Sequence, residues 1–259
     1  MVYPTSLKSW GLILERAEYL VFLEKAGLKK DDVIYLTSSA IGNLWNKNYE
    51  EQLCKILCNY FIESTLVMPA FNYDFIKTRF YDSKCAKSMC GGISEHFRKL
   101  PQVYRSIYSP IHGVSVYGKD AKDLSLLRPK SSFGRESVFE YLINKADRVN
   151  VVHLDCSIND GMAFFHCLEE RYNVKYRKWV RLDGIVRTEN RDEKISIDWF
   201  ALQNKNNVPN VQKFAHEFEL SGCVKVCCIN HSRWMIYSLR DYLEFFEPIF
   251  KSGVDFTTL

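Results

Sequence analysis

Residues 33–36, Val33-Ile34-Tyr35-Leu36, and residues 64–69, Ser64-Thr65-Leu66-Val67-Met68-Pro69, decide how this chain is laid out. Each is a short apolar run with β-branched members, the pattern of a strand buried on both faces. Between them, Tyr49 to Ile62 carries Leu53, Ile56, Leu57 and Phe61 at helical spacing. A strand, a helix and a second strand make a crossover unit, which favours a parallel pair. The chain therefore reads as α/β.

The same reading extends outward. Val149-Asn150-Val151-Val152-His153-Leu154 is a third buried strand. Residues 7–27 predict an amphipathic helix with Leu12, Leu14, Ala17, Leu20, Val21 and Leu23 on one side, stopped by Gly27. Residues 70–90 read as a long aromatic loop, and long loops inside compact domains are more often functional than incidental. A helix begins at Gly91-Gly92. Arg105 to Gly118 reads as strands around Pro110, and Ser137 to Ile143 as a helix. Residues 172–200 alternate like exposed strands, and 208–250 read as helices around a short strand at Val224–Ile229. There is no linker, repeat or low-complexity segment, so residues 1–259 are expected to form one domain.

At 47% hydrophobic and 25% charged residues, the chain can bury a sizeable core. A net charge of +4 is too weak to argue for nucleic acid but suits an anionic small molecule. Nine cysteines at irregular spacings match neither a zinc site nor a redox motif. They are expected as reduced, mostly buried thiols. The N-terminus lacks a signal-peptide pattern, and no apolar run approaches the ~20 residues that span a bilayer. The expectation is a cytoplasmic protein with no membrane or nucleic-acid partner, monomeric or homodimeric.

For chemistry, the sequence Phe164-Phe165-His166-Cys167-Leu168-Glu169-Glu170 stands out. On a helix, His166 and Glu169 share a face. An imidazole held by a carboxylate is a general base. Asn159 or Asp160 is a candidate N-cap, which would place His166 near the helix start, where the dipole disfavours added positive charge. His112 lies in a Ser/Pro/Gly-rich turn, while His96, His153, His216 and His231 read as structural. Thr37-Ser38-Ser39, after the first strand, could hold phosphate through hydroxyls and amides. There is no G-x-S-x-G elbow, no P-loop and no dinucleotide fingerprint.

The order of these motifs carries a resemblance. Thr37-Ser38-Ser39 looks like a hydroxyl-rich first turn. Ser64 to Phe71 is similar to a "GTLVMPTF" segment. Gly92-Ile93-Ser94-Glu95-His96-Phe97-Arg98 with Arg105-Ser106 resembles "G-x-x-x-E-x-x-R … RS". Ser109 to Gly113 sits at an H-P-x-x-S turn, Ser131 to Ser137 at a glycine-serine segment, and His166 and Glu169 at an H-x-x-E. Over residues 10–185 the chain resembles the aminoglycoside 3-N-acetyltransferase family of coenzyme A-dependent N-acyltransferases. Two positions depart from it: Ala163 replaces a threonine, and Ser109 replaces the histidine of the H-P pair.

The resemblance implies an α/β/α layered sandwich with a mixed sheet. It implies acyl-CoA or acetyl-CoA as cosubstrate, with no metal. His166 and Glu169 would be catalytic. Thr37, Ser38, Ser39, Pro69, Phe71, Arg105 and Ser106 would bind the cofactor, and Asn72, Tyr73, Tyr176 and Arg177 the substrate. The basic run Arg171, Lys175, Arg177, Lys178, Arg181 suits phosphate, and Tyr176-Arg177 looks like the branch that acylates nucleotide-linked (dTDP-type) amino sugars in surface-polysaccharide synthesis. An aminoglycoside-modifying enzyme is the alternative. A non-catalytic binding protein, or a cysteine mechanism through Cys156 or Cys167, are further readings.

Overall fold

The computed structural model describes residues 16–39, 48–204, 206, 208–229 and 232–258. The crossover unit is present: strand β1 (Val33–Ser38), helix α2 (Tyr49–Tyr60) and strand β2 (Thr65–Pro69), preceded by helix α1 (Arg16–Lys25). Short helix α3 (Phe75–Thr78), strand β3 (Phe80–Asp82) and helix α4 (Gly92–Phe97) follow. Next come strands β4 (Tyr104–Arg105) and β5 (Val114–Gly118), then helices α5 (Ala121–Ser125) and α6 (Val138–Asn144). Strand β6 (Val149–Leu154) leads to helix α7 (Ala163–Arg171) and the long strands β7 (Arg177–Arg187) and β8 (Asp192–Leu202). The chain closes with helix α8 (Gln212–Leu220), strands β9 (Lys225–Ile229) and β10 (Ser232–Ser238), and helix α9 (Leu239–Lys251).

Seven strands form one sheet in the order β4-β5-β2-β1-β6-β10-β9. The three runs read as buried strands are its parallel centre: β1 pairs in parallel with β2 and with β6. The flanking strands are antiparallel, so the sheet is mixed. Side chains alternate across it, as the strand period requires. Val33, Tyr35, Val67, Val149 and Val151 face a core shared with α6, α7, α8 and α9. Ile34, Leu36, Leu66, Met68, Val152 and Leu154 face a second core shared with α1, α2 and α4. Burial on both faces explains why these strands are apolar runs rather than alternating ones. The result is the expected α/β/α sandwich.

A separate three-stranded sheet, β3-β7-β8, packs beside it over its own core of Phe75, Tyr81, Tyr108, Ile111, Leu182, Val186 and Ile197. The stretch read as a long loop, residues 70–90, thus contains a helical turn and a strand pairing in parallel with β7. The exposed alternation of 172–200 is the antiparallel pair β7–β8.

Some details differ from expectation. The described part of the first helix buries Tyr19 and Leu23 and leaves Val21 49% exposed; residues 7–15 lie outside the described set. All nine cysteines are free thiols, but only Cys54, Cys58 and Cys167 are buried. Among the described residues, no helix is long and apolar enough to cross a membrane.

Candidate active site

The central strands end on one side of the sheet, where open α/β folds collect their ligands. There, Thr37-Ser38-Ser39 at the end of β1, Pro69 and Phe71 at the end of β2, and Cys156 and Asn159 to Ala163 after β6 surround a cavity of about 340 Å³. Tyr35, Tyr73, Met89, Cys90 and His166 complete its lining. Five of the expected cofactor residues therefore share one wall: Thr37, Ser38, Ser39, Pro69 and Phe71.

A second cavity of about 280 Å³ lies on the other side of His166, toward the β7–β8 sheet. Tyr73, His112, Ser132, Phe133, His166, Glu169, Arg177, Trp199, Phe200 and Leu202 line it. His166 and Tyr73 belong to both cavities.

Helix α7 delivers His166 to this junction. Its backbone N–H donates to the Met162 carbonyl at 3.1 Å, within the first helical turns. The N-cap is Met162, with no side-chain capping bond. The sequence points to Asn159 or Asp160 there, but the Asp160 carboxylate instead accepts from the Ser157 N–H at 2.9 Å and the Ser157 hydroxyl at 2.7 Å. Polar loop closure thus wins over capping for this aspartate.

His166 Nδ1 lies 2.5 Å from Glu169 Oε2. Glu169 is fully buried and sits 2.8 Å from the Arg177 Nε, an ion pair whose N–H is not aligned for a hydrogen bond. Burial opposes ionisation of Glu169, but the charge and hydrogen bond of His166 and the charge of Arg177 outweigh it and hold the carboxyl below its ordinary range. An ionised carboxylate only accepts, so Nδ1 carries the hydrogen and Nε2 is left as the basic nitrogen. The Arg177 Nη2, 3.4 Å from Nδ1, is then an electrostatic neighbour rather than a second donor to that nitrogen. The buried Tyr176 hydroxyl faces Glu169; burial first, then that carboxylate, push its ionisation far up. Tyr176 thus backs Glu169 without lining a cavity.

Glu170 works one layer out. Ser131 donates its hydroxyl to Glu170 Oε1, and the Phe133 N–H lies 3.4 Å from Oε2. A Cβ on Gly134 would run into both the Ser131 hydroxyl and the Glu170 carboxylate, which explains the glycine. This clamp presents Ser132 and Phe133 to the second cavity. The Phe133 ring lies between two imidazoles, 4.6 Å from His112 and 5.8 Å from His166.

Three expected contacts lie elsewhere. Arg105 is buried and directs its guanidinium to the Ala86 and Ala70 carbonyls, bracing the loop after β2. Ser106 accepts from the Val114 N–H at 3.2 Å. Asn72 donates to the Lys87 carbonyl at 2.9 Å and accepts from Asp74 N–H at 3.0 Å. None of the three lines either cavity. The basic run is also largely occupied: Arg171 pairs with Glu247, Arg177 with Glu169, and Arg181 with Asp198 through two bonds of 2.8 Å. Among the described residues, Lys175 and Lys178 are the members of that run with no ion pair.

Sequence reasoning missed Trp199 and Phe200. Nothing in a one-chain pattern brings a strand 30 residues downstream over α7. Ser132 and Phe133 stand out in the sequence only as part of the glycine-serine segment. Cys156, at the first cavity, has its thiol pushed up to about 12 by burial, and Cys167 is held in the protonated form more strongly, so neither is poised as a nucleophile. Among the described residues, no cluster of three or more His, Cys, Asp or Glu side chains could hold a metal ion.

A mixed α/β/α sandwich with a carboxylate-backed histidine between two cavities is an arrangement that suits two-substrate group transfer. The family model described as aminoglycoside 3-N-acetyltransferase matches residues 37–251, and the chain belongs to that family. It is thereby an acyl-CoA-dependent N-acyltransferase. No curated protein sequence matches it significantly. Among solved structures it is similar to AAC-VIa bound to sisomicin (TM-score 0.77, 14% identity, 92% of this chain and 97% of that one). It is also similar to AAC-IIIb binary with CoASH (0.76, 14%, 92% and 96%). A third is the YokD protein from Bacillus subtilis (0.71, 20%, 91% and 98%).

Proposed function

We propose that the protein moves an acetyl group from acetyl-CoA to the amino group of an amino sugar, with His166 as general base. The observation that carries this is the position of His166, shared by two cavities and hydrogen-bonded to the buried Glu169. The thioester enters beside Thr37, Ser38, Ser39, Pro69 and Phe71, and the amine enters beside Phe133 and Trp199. Nε2 takes the proton as the amine nitrogen attacks the thioester carbon. Glu169, itself braced by Arg177 and Tyr176, stabilises the imidazolium. The C–S bond then breaks, and the thiolate of CoA takes up the proton. A base of this kind contributes about 10²–10⁴-fold.

The family match and the relatives solved with sisomicin and with CoASH support an amine carried on a sugar and a CoA donor. The nucleotide-linked sugar loses its main argument, because the arginines that suggested it are paired with carboxylates of the fold. The test is thiol release from acetyl-CoA, with an aminoglycoside in one tube, a simple amino sugar in a second and a dTDP-amino sugar in a third. Release in any tube that disappears in His166→Ala is the expected result. No release in all three, or release that persists in His166→Ala, would overturn the reading.

A further inference from the structure

The cavity on the β7–β8 side holds a feature that transfer itself does not use. His112 is 7% exposed and Ser132 2% exposed, and both line this cavity. The His112 Nδ1 and the Ser132 Oγ are buried and find no hydrogen-bond partner in the protein. An unsatisfied buried polar atom costs stability. Both atoms belong to side chains that line one cavity beside His166, the pattern of groups kept for a ligand.

The walls narrow the ligand further. Phe133, Trp199, Phe200 and Tyr73 offer apolar faces, as sugar and aromatic sites do. Among the described residues, the sole carboxylate in the lining is Glu169, whose Oε2 is matched by His166 and Arg177. Of the residues outside the described set, Glu15 is the one with a carboxylate side chain. A substrate with several ammonium groups would thus meet the Arg177 guanidinium without an acidic wall to balance it.

We propose that this cavity takes an amino sugar with a single amine, and that His112 and Ser132 position it by bonding a hydroxyl next to that amine. This rests on the N-acetyltransferase reading above. Burial, then the charges of His166 and Arg177, keep His112 neutral, so its free nitrogen can serve as acceptor or donor to a hydroxyl.

The experiment compares glucosamine, its 3-deoxy analogue and kanamycin as acceptors, for wild type, Ser132→Ala and His112→Phe. For wild type, kcat/KM is at least tenfold higher with glucosamine than with kanamycin. Each substitution raises the glucosamine KM about three- to tenfold. The acetyl-CoA KM stays fixed, and the 3-deoxy analogue loses this sensitivity. Ser132→Ala holds or raises the melting temperature, which a structural hydroxyl would not allow. A preference for kanamycin overturns the proposal, as does a lower melting temperature of Ser132→Ala with an unmoved KM. If wild type releases no thiol with any amine, the transferase reading fails, and calorimetry with the same sugars decides the cavity. Heat from glucosamine but not kanamycin upholds it; the reverse, or no heat from either, overturns it.

Discussion

Glu169→Gln is the most informative single change, because it keeps the shape of the side chain and removes its charge. In the wild type, the carboxylate faces the His166 Nδ1 at 2.5 Å and the Arg177 Nε at 2.8 Å, with no exposure to solvent. When His166 takes the proton, two full charges stand roughly 4 Å apart between their centres, worth about 4 kcal/mol at an effective dielectric near 20. At about 1.4 kcal/mol per decade, that is a loss of roughly 10³-fold in kcat. The unopposed Arg177 adds to the loss by repelling the imidazolium. Removing one partner of a buried pair also costs about 3–5 kcal/mol of stability. The pH dependence separates this from a general packing defect. The folded-state pKa of Glu169 lies below its ordinary value of 4.5. Its contribution is therefore fully present above that value and is lost as pH falls through the lowered folded-state pKa. Urea unfolding of both proteins from pH 7 to about pH 3, with thiol release measured alongside, is the assay. The stability gap should be widest near neutrality and close at the acid end. A gap that does not change with pH, or a kcat within tenfold of wild type, would refute the reasoning.

Other outcomes follow from the same geometry. His166→Ala abolishes thiol release while the fold survives, because Arg177 still faces the Glu169 carboxylate; circular dichroism checks the fold. Phe164→Ala costs about 3–5 kcal/mol, since its buried ring meets Tyr35 at 5.0 Å, Phe139 at 6.1 Å and Tyr242 at 6.3 Å; urea titration reads it. Gly161→Ala places a methyl against the His153 ring and 2.6 Å from the Thr37 Cγ2, so the cofactor wall must shift, at about 1–3 kcal/mol and with a raised acetyl-CoA KM. Iodoacetamide at pH 8 labels the exposed Cys85, Cys223 and Cys228 well before Cys156, whose thiol is pushed up to about 12; peptide mass spectrometry gives the order.

The centre of the fold was legible because strands buried on both faces need apolar side chains at every position. Val33 to Leu36 and Thr65 to Met68 meet that demand, and Val149 to Leu154 comes near it. β10 was not legible. Ser232 to Ser238 runs straight into α9, with Ser238 itself capping the helix through the Arg240 N–H. Without a turn residue between them, strand and helix blend into one apolar pattern. The His166–Glu169 pair was visible because both ends lie within one helical turn. Its third member, Arg177, reaches Glu169 from the start of β7, and the aromatic wall comes from β8. Such contacts depend on how two sheets dock, which spacing along one chain does not encode. The pairing within the basic run was hidden for the same reason: its arginines meet Glu247, Glu169 and Asp198 only in three dimensions.

The two cavities that meet at His166 are cut from different pieces of chain. The cavity proposed for the thioester is built from the ends of the central parallel strands, where a changed residue disturbs both cores at once. The cavity proposed for the amine borrows Trp199, Phe200 and Leu202 from a hairpin that has its own small core. Drift in that hairpin can therefore retarget the acceptor while the donor side stays fixed. Exchange of residues 177–202 between relatives, keeping Arg177, is a route to new acceptors on an unchanged transfer engine.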